Sequence, residues 1–283
     1  MSLQRAYRGP GPDRPAGIPL PPGRMPLLRG GRMLKRWRYV GVYAADLMLC
    51  AGMARIGPAR QTWWAVWERD RDRLHERTRL RGGAVQLGDD QVRVRDGTVE
   101  VDLRIVDMAG AVAVEVVTPD GRGYAWTRKR APVRARGTVR VDGAARAVDA
   151  AGLIDDSAGY HARHTAWRWS AGVGAAAADG GPVAWNLVAG VHDSPTASER
   201  TVWAGGEARE VGPVTFADDL GAVAFAEGGE LRFAAGAVRA RDDNLLVIRS
   251  EYEQPFGTFS GTLPGGIELA EGYGVMERHV AVW

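Results

Sequence analysis

Apolar and polar residues alternate at a period of two through most of this 283-residue chain, and no long segment shows helical spacing. The segment 99–105 alternates in this way just after Asp-Gly at 96–97, a dipeptide typical of tight hairpin turns. Asp-Gly recurs at 120–121, 142–143 and 179–180. Because successive side chains of a strand lie on opposite faces, the pattern predicts an all-β protein of antiparallel barrels or sandwiches.

Composition divides the chain into three parts. Residues 1–32 hold seven of the fifteen prolines and almost no apolar periodicity. Such a segment buries too little apolar surface to offset its ordering entropy, so we expect a disordered N-terminal tail. Residues 33–150 and residues 151–283 each carry a set of alternating segments, which predicts two β domains. In the second domain the strands are expected at 163–171, 183–191, 231–239, 245–253 and 274–283.

Charge is distributed unevenly along the sequence. Residues 1–150 carry 28 Lys and Arg against 16 Asp and Glu, whereas residues 151–283 carry 9 against 18. A basic half could bind an anionic surface or nucleic acid, and this is one alternative function. However, the arginines are spread along alternating strands as on solvated faces, and only Lys35 and Lys129 are lysines. We therefore regard nucleic acid as an unlikely partner.

The single cysteine, Cys50, excludes an internal disulfide framework, which suits a reducing compartment. It lies in the apolar run 47–51, where packing is the expected role. No apolar run approaches the roughly 20 residues that span a bilayer, and no apolar segment follows the basic N-terminus. We expect a cytoplasmic protein without a membrane span.

Two segments, 155–170 and 274–283, concentrate aromatic and ionisable side chains: three of the five histidines and three of the ten tryptophans. In a terminal strand Glu277 and His279 would share one face, with Cβ atoms roughly 7 Å apart. That spacing suits a carboxylate and an imidazole that act on one substrate as an acid–base pair. A structural ion pair, or a histidine held by hydrogen bonds, is an equally good interpretation.

Trp167 and Trp169 share a strand face, which forms either core or the wall of an aromatic pocket. The pocket hypothesis predicts a flat aromatic or lipophilic ligand, and the acid–base pair would then suit hydration, isomerisation or cyclisation of an unsaturated molecule. A non-catalytic binder or carrier is the alternative. The candidate ligand-binding residues are Tyr160, His164, Trp167, Arg168, Trp169, Asn186 and Trp283.

Motifs for metals, cofactors and nucleophilic catalysis are weak. His161 and His164 are three residues apart, which places them on opposite faces of a strand, and no HExxH motif occurs. The Gly-rich segment 172–177 is followed by Asp179-Gly180 rather than by a helix that could bind a pyrophosphate. No GxSxG motif is present. We expect no metal and no cofactor.

A set of ordered strings carries a resemblance to a known family. They are DDSAGYHARHTAWRWSAGVG from residue 155, PVAWNLVAGVHD, ERTVWAGG, PVTF, SEYEQPFGTFSG and GVMERHVAVW. Residues 33–283 resemble the bacterial domain-of-unknown-function family 2804. Its layout is similar to a two-barrel, lipocalin-like group that includes carotenoid 1,2-hydratase and some Diels–Alder cyclases. The resemblance implies two lipocalin-like β-barrels with a lipophilic pocket in or between them, and it identifies no catalytic residue.

Overall fold

A computed structural model describes residues 3–9, 11, 13–245 and 248–283 and consists almost entirely of antiparallel strands. The prediction of an all-β protein is confirmed. In chain order, the strands up to the end of the first large sheet are β1 (Tyr7–Arg8), β2 (Leu28–Arg29), β3 (Arg32–Met33), β4 (Lys35–Tyr43), β5 (Leu47–Ile56), β6 (Ala59–Glu68), β7 (Arg73–Arg79), β8 (Val85–Leu87), β9 (Gln91–Asp96), β10 (Val99–Asp120), β11 (Gly123–Val141) and β12 (Ala144–Gly159), with a 3-10 turn at Arg69–Arg71.

The second large sheet contains the five strands expected from the sequence, most of them longer than expected, and four further strands. They are β13 (His164–Ala176), β14 (Pro182–Ala189), β15 (Thr201–Ala204), β16 (Glu207–Glu210), β17 (Val214–Phe216), β18 (Ala222–Phe225), β19 (Glu230–Leu245), β20 (Ile248–Leu263) and β21 (Ile267–Val282). β2 and β3 form a separate hairpin, and β1 is added to the first sheet beside β10.

Both large sheets have the same strand order. The first runs β7-β6-β5-β4-β12-β11-β10-β9-β8, and the second runs β16-β15-β14-β13-β21-β20-β19-β18-β17. In each, the first strand of the set pairs with the last, so this pair lies in the middle of the sheet. Lys35 lies opposite Gly159 in the first sheet, and His164 lies opposite Val282 in the second.

The alternation of side chains creates apolar layers on both faces of the central strands. In β4, Val40 and Val42 point into a core inside the curve of the first sheet, whereas Tyr39 and Tyr43 join a core shared with the second sheet. A third core around Trp185 lies inside the second sheet. The shared core holds the two sheets together and fixes how their central strand pairs face each other.

The Asp-Gly turns lie where the sequence predicts them. Residues 142–143 link β11 to β12, and Asp142 and Gly143 both have positive φ, at 48° and 84°. A two-residue turn of this kind matches the twist of the paired strands, and Gly adopts positive φ without steric cost.

Many arginines of the first sheet pair with carboxylates on other strands of that sheet. Arg134 and Arg136 both contact Asp149, and Arg77 and Arg79 both contact the buried Asp96. Much of the basic charge of the first half is thereby compensated locally.

The domain boundary expected between residues 150 and 151 lies inside β12, a strand of the first sheet. The chain passes to the second sheet over residues 160–163. β12 extends past residue 150 because Leu153 and Ile154 continue the strand. Ile154 packs in the core of the first sheet, and Leu153 packs in the core that the two sheets share. No helix among the described residues is long and apolar enough to cross a membrane.

Residues 1–32 were expected to form a disordered tail, and part of this segment is described by the structure. Ile18, Leu20 and Met25 are buried against a layer that contains Tyr124 and Tyr160. These few apolar side chains show no strand or helix period, so a test for periodicity misses them.

Hydrogen bonds add to the apolar contact of this N-terminal segment. The Tyr160 hydroxyl donates to the Pro26 carbonyl at 2.7 Å, and the Tyr124 hydroxyl donates to the Pro19 carbonyl. Proline also has less backbone freedom to lose on ordering, so the Pro-rich composition lowers the entropy cost of docking.

Arg8 extends the N-terminal segment to the second half of the molecule. Its guanidinium donates to the Ser198 carbonyl at 2.6 Å and to Thr201 Oγ1 at 3.0 Å. It also lies 3.7 Å from a carboxylate oxygen of Glu210. The segment therefore bridges the first sheet and the region around β15.

Docking of the N-terminal segment predicts unequal effects of two neighbouring substitutions. Met25 is 2% exposed and Leu27 is 64% exposed. Met25→Ala should lower the free energy of unfolding by about 2–4 kcal/mol because it leaves a cavity, whereas Leu27→Ala should change it by less than about 0.5 kcal/mol. Urea denaturation of both variants measures the difference. Equal, small effects would show that the segment is not docked.

Candidate functional site

A cavity of about 230 Å³ opens between the two sheets, at the place where their central strand pairs face each other. Its ring-bearing side chains come from both halves of the chain: Trp37, Tyr39, Trp63, His161, Trp167, Trp169, His192, Tyr252, His279 and Trp283. Besides the histidines, the buried ionisable residues that line it are Lys35, Lys129, Asp155, Glu199, Arg239 and Glu277.

A larger depression of about 340 Å³ lies on the other face of β19–β21. It is lined by solvent-accessible charges such as Arg278 and Glu253, which pair at 2.7 Å. We place the candidate site in the smaller cavity because its ionisable groups are removed from water, where their chemistry is altered most.

Glu277 of β21 is a buried carboxyl group held by neutral donors. Trp167 Nε1 donates to Oε1 at 2.7 Å, and Gln254 Nε2 donates to Oε2 at 2.8 Å. Among the described residues, no Lys, Arg or His forms an ion pair with it. Burial, with a smaller contribution from the Asp155 carboxylate, raises the pKa of Glu277 to about 7, against the opposing effects of the two hydrogen bonds and of the Arg239 charge. Near neutral pH this group can therefore both give and take a proton.

His279 lies two residues further along β21 on the same face. Its ring centroid is 4.2 Å from that of Trp167, and Nε2 lies 2.8 Å from Ser250 Oγ. Burial lowers the pKa of His279 to about 4, so its imidazole is neutral at pH 7. In the described part of the chain no hydrogen bond joins it to Glu277, and Trp167 contacts both. The two residues share the cavity without forming a direct pair.

Indole rings form the walls of the cavity. Trp37 of β4 and Trp167 of β13 lie almost parallel, with ring centroids 6.5 Å apart and an interplanar angle of 6°. Deeper in the cavity, Trp169 meets Tyr39 edge to face at 5.4 Å. Trp283 donates from Nε1 to Thr165 Oγ1 at 3.1 Å. Such walls favour a flat, apolar ligand.

A buried charge cluster joins the first sheet to the loop before β15. Lys129 Nζ lies 2.5 Å from Asp155 Oδ1 and 3.2 Å from Glu199 Oε2. Burial opposes the ammonium charge, but the two carboxylates outweigh this effect and raise the pKa of Lys129. For Asp155, burial outweighs the ammonium, and the pKa is raised. The charge of the Lys129 ammonium is therefore compensated, because the ammonium lies between two carboxyl groups.

Two further histidines line the cavity beside this cluster. His161 stacks on Trp37 with ring centroids 5.1 Å apart and meets His192 edge to face at 5.6 Å. Burial lowers the pKa of each histidine to about 3, so both rings are neutral. No group of three or more His, Cys, Asp or Glu side chains among the described residues could hold a metal ion.

Five of the nine site residues named from the sequence line this cavity: Trp167, Trp169, Glu277, His279 and Trp283. Asn186 lies behind the wall rather than in it, because its Oδ1 accepts the Trp169 indole N–H at 2.8 Å. It orients the ring and is buried away from the cavity.

The other three candidates, Tyr160, His164 and Arg168, do not line the cavity. His164 and Arg168 lie on the opposite face of β13, where His164 is exposed and Arg168 pairs with exposed Asp218. Tyr160 precedes β13 and packs in the layer under the N-terminal segment. The alternation of the sequence already places His164 and Arg168 on the face opposite the two tryptophans. The docking of the N-terminal segment over Tyr160 could not be predicted in this way.

Sequence analysis missed the contribution of the first sheet, notably Lys35, Trp37, Tyr39, Lys129 and Asp155. One signal was present: the chain has 37 Lys and Arg but only two lysines, and both line the cavity. Where arginine is the default cation, a lysine marks a position at which a compact ammonium is required.

Solved structures of other proteins share the two-sheet arrangement. An AttH-like protein from Nitrosomonas europaea has a TM-score of 0.56 at 12% identity, with 92% of this chain and 98% of that chain covered. Kievitone hydratase from Nectria haematococca has a TM-score of 0.55 at 12% identity, with 86% of this chain and 88% of that chain covered. At such identity the likeness shows the fold alone.

Sequence comparison places the chain in a family. No functionally curated protein matches it. The model of a family described as a domain of unknown function matches residues 86–283, which span both sheets from β8 onward and include β13 and β21 of the cavity. The chain therefore belongs to the domain-of-unknown-function family DUF2804.

Proposed function

We propose that this protein is an acid–base enzyme that adds water to a double bond of a flat, lipophilic small molecule. The observation that carries the proposal is Glu277, a buried carboxyl in an aromatic cavity that accepts hydrogen bonds from two neutral donors and forms no ion pair with any described residue. A carboxyl group of this kind keeps its proton near neutral pH and can act as a general acid.

The chemistry follows from that proton. Protonated Glu277 gives its proton to one carbon of the double bond, the π electrons form the new C–H bond, and the other carbon becomes a cation. Water adds to this cation through its oxygen. The resulting oxonium returns one proton to the Glu277 carboxylate, so the acid is regenerated and the net change is the addition of one water.

Aromatic walls support such a reaction because ring faces attract a developing cation. Trp167 is well placed for this, since its indole contacts Glu277 through Nε1 and His279 through its ring. The indole N–H also stabilises the carboxylate that remains after proton transfer.

Comparison with other structures favours hydration among the reactions that an acid of this kind supports. Kievitone hydratase, by its name, is a hydratase, and it shares the two-sheet fold over most of its length. Isomerisation and cyclisation begin with the same protonation and differ only in how the cation is consumed.

A non-catalytic binder or carrier is the second candidate function. It is favoured by the fact that both Glu277 oxygens already accept hydrogen bonds, from Trp167 and from Gln254. In a carrier these bonds would hold the wall of the pocket, and no proton would be transferred.

Glu277→Gln separates the two functions because it keeps the volume of the side chain and removes the proton. Wild-type protein and the variant are incubated in isotopically labelled water with a lipophilic metabolite extract. We expect the wild type to convert at least one compound into a product with one labelled oxygen, and the variant to lose at least about 100-fold of this activity.

Binding is measured in parallel by native mass spectrometry of each protein with the same extract. An enzyme predicts that the variant retains the ligand that it no longer converts. Conversion by the variant at the wild-type rate would contradict the acid role of Glu277, and binding by both proteins without conversion by either would favour the carrier.

The raised pKa of Glu277 also predicts a pH dependence of stability. Burial raises this pKa from 4.5 to about 7, so between these values the folded chain binds a proton that the unfolded chain has lost. The contribution of Glu277 to stability therefore falls as pH rises, by about 3 kcal/mol in total. Urea denaturation of wild type and Glu277→Gln between pH 4.5 and 8 measures it.

The difference between the two proteins is the relevant quantity, because buried histidines give the opposite trend in both. Their pKa values are lowered by burial, so their contribution rises with pH up to about 6.5. A difference between wild type and variant that is constant over this range would show that Glu277 is ionised throughout.

A further inference from the structure

Lys35 is a buried cation that lines the cavity, and no carboxylate of the described chain lies within ion-pair distance of it. It is 3% exposed, and its only hydrogen bond from Nζ among the described residues is to the His161 carbonyl at 3.2 Å. The ammonium lies 5.3 Å from the centroid of the Trp283 ring. One carbonyl and one ring face leave donor capacity of the ammonium unused.

Lys129, the other lysine of the chain, shows what full compensation looks like in the same cavity. Two carboxylates lie within 3.2 Å of its Nζ. The carboxylate whose charge acts on Lys35 is that of Asp120, which already pairs with Arg32 at 2.7 Å. Burial and the Arg32 charge both lower the pKa of Lys35. An ammonium in this position is unfavourable unless an anion joins it.

We propose that Lys35 binds the anionic oxygen of the ligand, and that the cavity therefore takes a flat, lipophilic molecule carrying a carboxylate or a similar acidic group. The inference rests on the proposed function in so far as that function makes the cavity a ligand site. It adds the charge of the ligand, which Glu277 does not specify.

The strand geometry fixes where this charge lies relative to the acid. Lys35, Trp37 and Tyr39 follow one another on the cavity face of β4, and Trp169, which contacts Tyr39, lies opposite Glu277 in the pairing of β13 with β21. Four residues of a strand span roughly 13 Å. A ligand anchored at Lys35 would pass Trp37 and Trp167 and reach Glu277 with its far end.

Arg128 provides a matched control. It lies on β11 next to Lys129, it is a cation like Lys35, and it is exposed and does not line the cavity. A general attraction between a basic surface and an anion would involve Arg128 at least as much as Lys35, whereas a specific anion site involves Lys35 alone.

Two fluorescent probes with the same ring system test the proposal. Anilinonaphthalenesulfonate carries one negative charge, and N-phenylnaphthylamine is the same molecule without the sulfonate. The affinity of each probe is measured by fluorescence titration for the wild type, Lys35→Met and Arg128→Met, after circular dichroism has shown that each variant is folded.

We expect the wild type to bind the sulfonate at least about tenfold more tightly than the neutral probe. Lys35→Met should abolish this preference and leave the affinity for the neutral probe within about twofold, and Arg128→Met should change neither affinity. If Lys35→Met does not fold, the test depends on two measurements. The wild type should prefer the sulfonate probe to the neutral probe, and Lys35→Arg should keep this preference.

The proposal is overturned if the wild type shows no preference, if Lys35→Met weakens both probes equally, if Arg128→Met removes the preference, or if neither probe binds. Failure of the proposed function looks different. Loss of the labelled-water reaction with the probe preference intact would leave Lys35 as the anion site of a carrier. Conversely, hydration without a probe preference would leave the acid and remove the anion site.

Discussion

The pairing of the first strand with the last in each sheet is the constraint on which the rest of the molecule depends. β4 pairs with β12, and β13 pairs with β21, so each pair occupies the centre of its sheet. These four strands face one another across the shared core and supply the walls of the cavity. Glu277 is held against Trp167 because β21 and β13 are hydrogen-bonded neighbours. If either central pair shifted by one residue, its side chains would turn to the opposite face and the cavity wall would be lost.

Charge compensation distinguishes structural from functional groups in this cavity. Lys129 lies between two carboxylates, and this cluster ties β11 and β12 to the loop before β15. Glu277 and Lys35 are equally buried but have no partner of opposite charge within ion-pair distance in the described chain. Buried ionisable groups without an opposite charge lower the stability of the fold. A protein retains them where a ligand or a proton neutralises their charge. Both kinds of group, with and without a partner of opposite charge, line the same cavity.

Strand periodicity predicted the part of the site that lies on single strands. The parity of β13 and β21 placed Trp167, Trp169, Glu277 and His279 on one side, and all four line the cavity. The contribution of Lys35 and Trp37 depends on how two sheets pack, and a pattern of period two contains no information about that. Tyr160 was one of the candidate ligand-binding residues, but its hydroxyl donates a hydrogen bond to the N-terminal segment instead.

The same strand order has a consequence for folding. In each sheet the middle pair joins residues far apart in sequence, such as Lys35 with Gly159 and His164 with Val282. Loop closure over such separations is slow, so the local hairpins form first and the central pairs afterwards. The cavity walls do not exist until β21 has paired with β13. A partly folded chain therefore exposes the tryptophans of an unfinished site, and it is during this interval that the protein is most prone to aggregate.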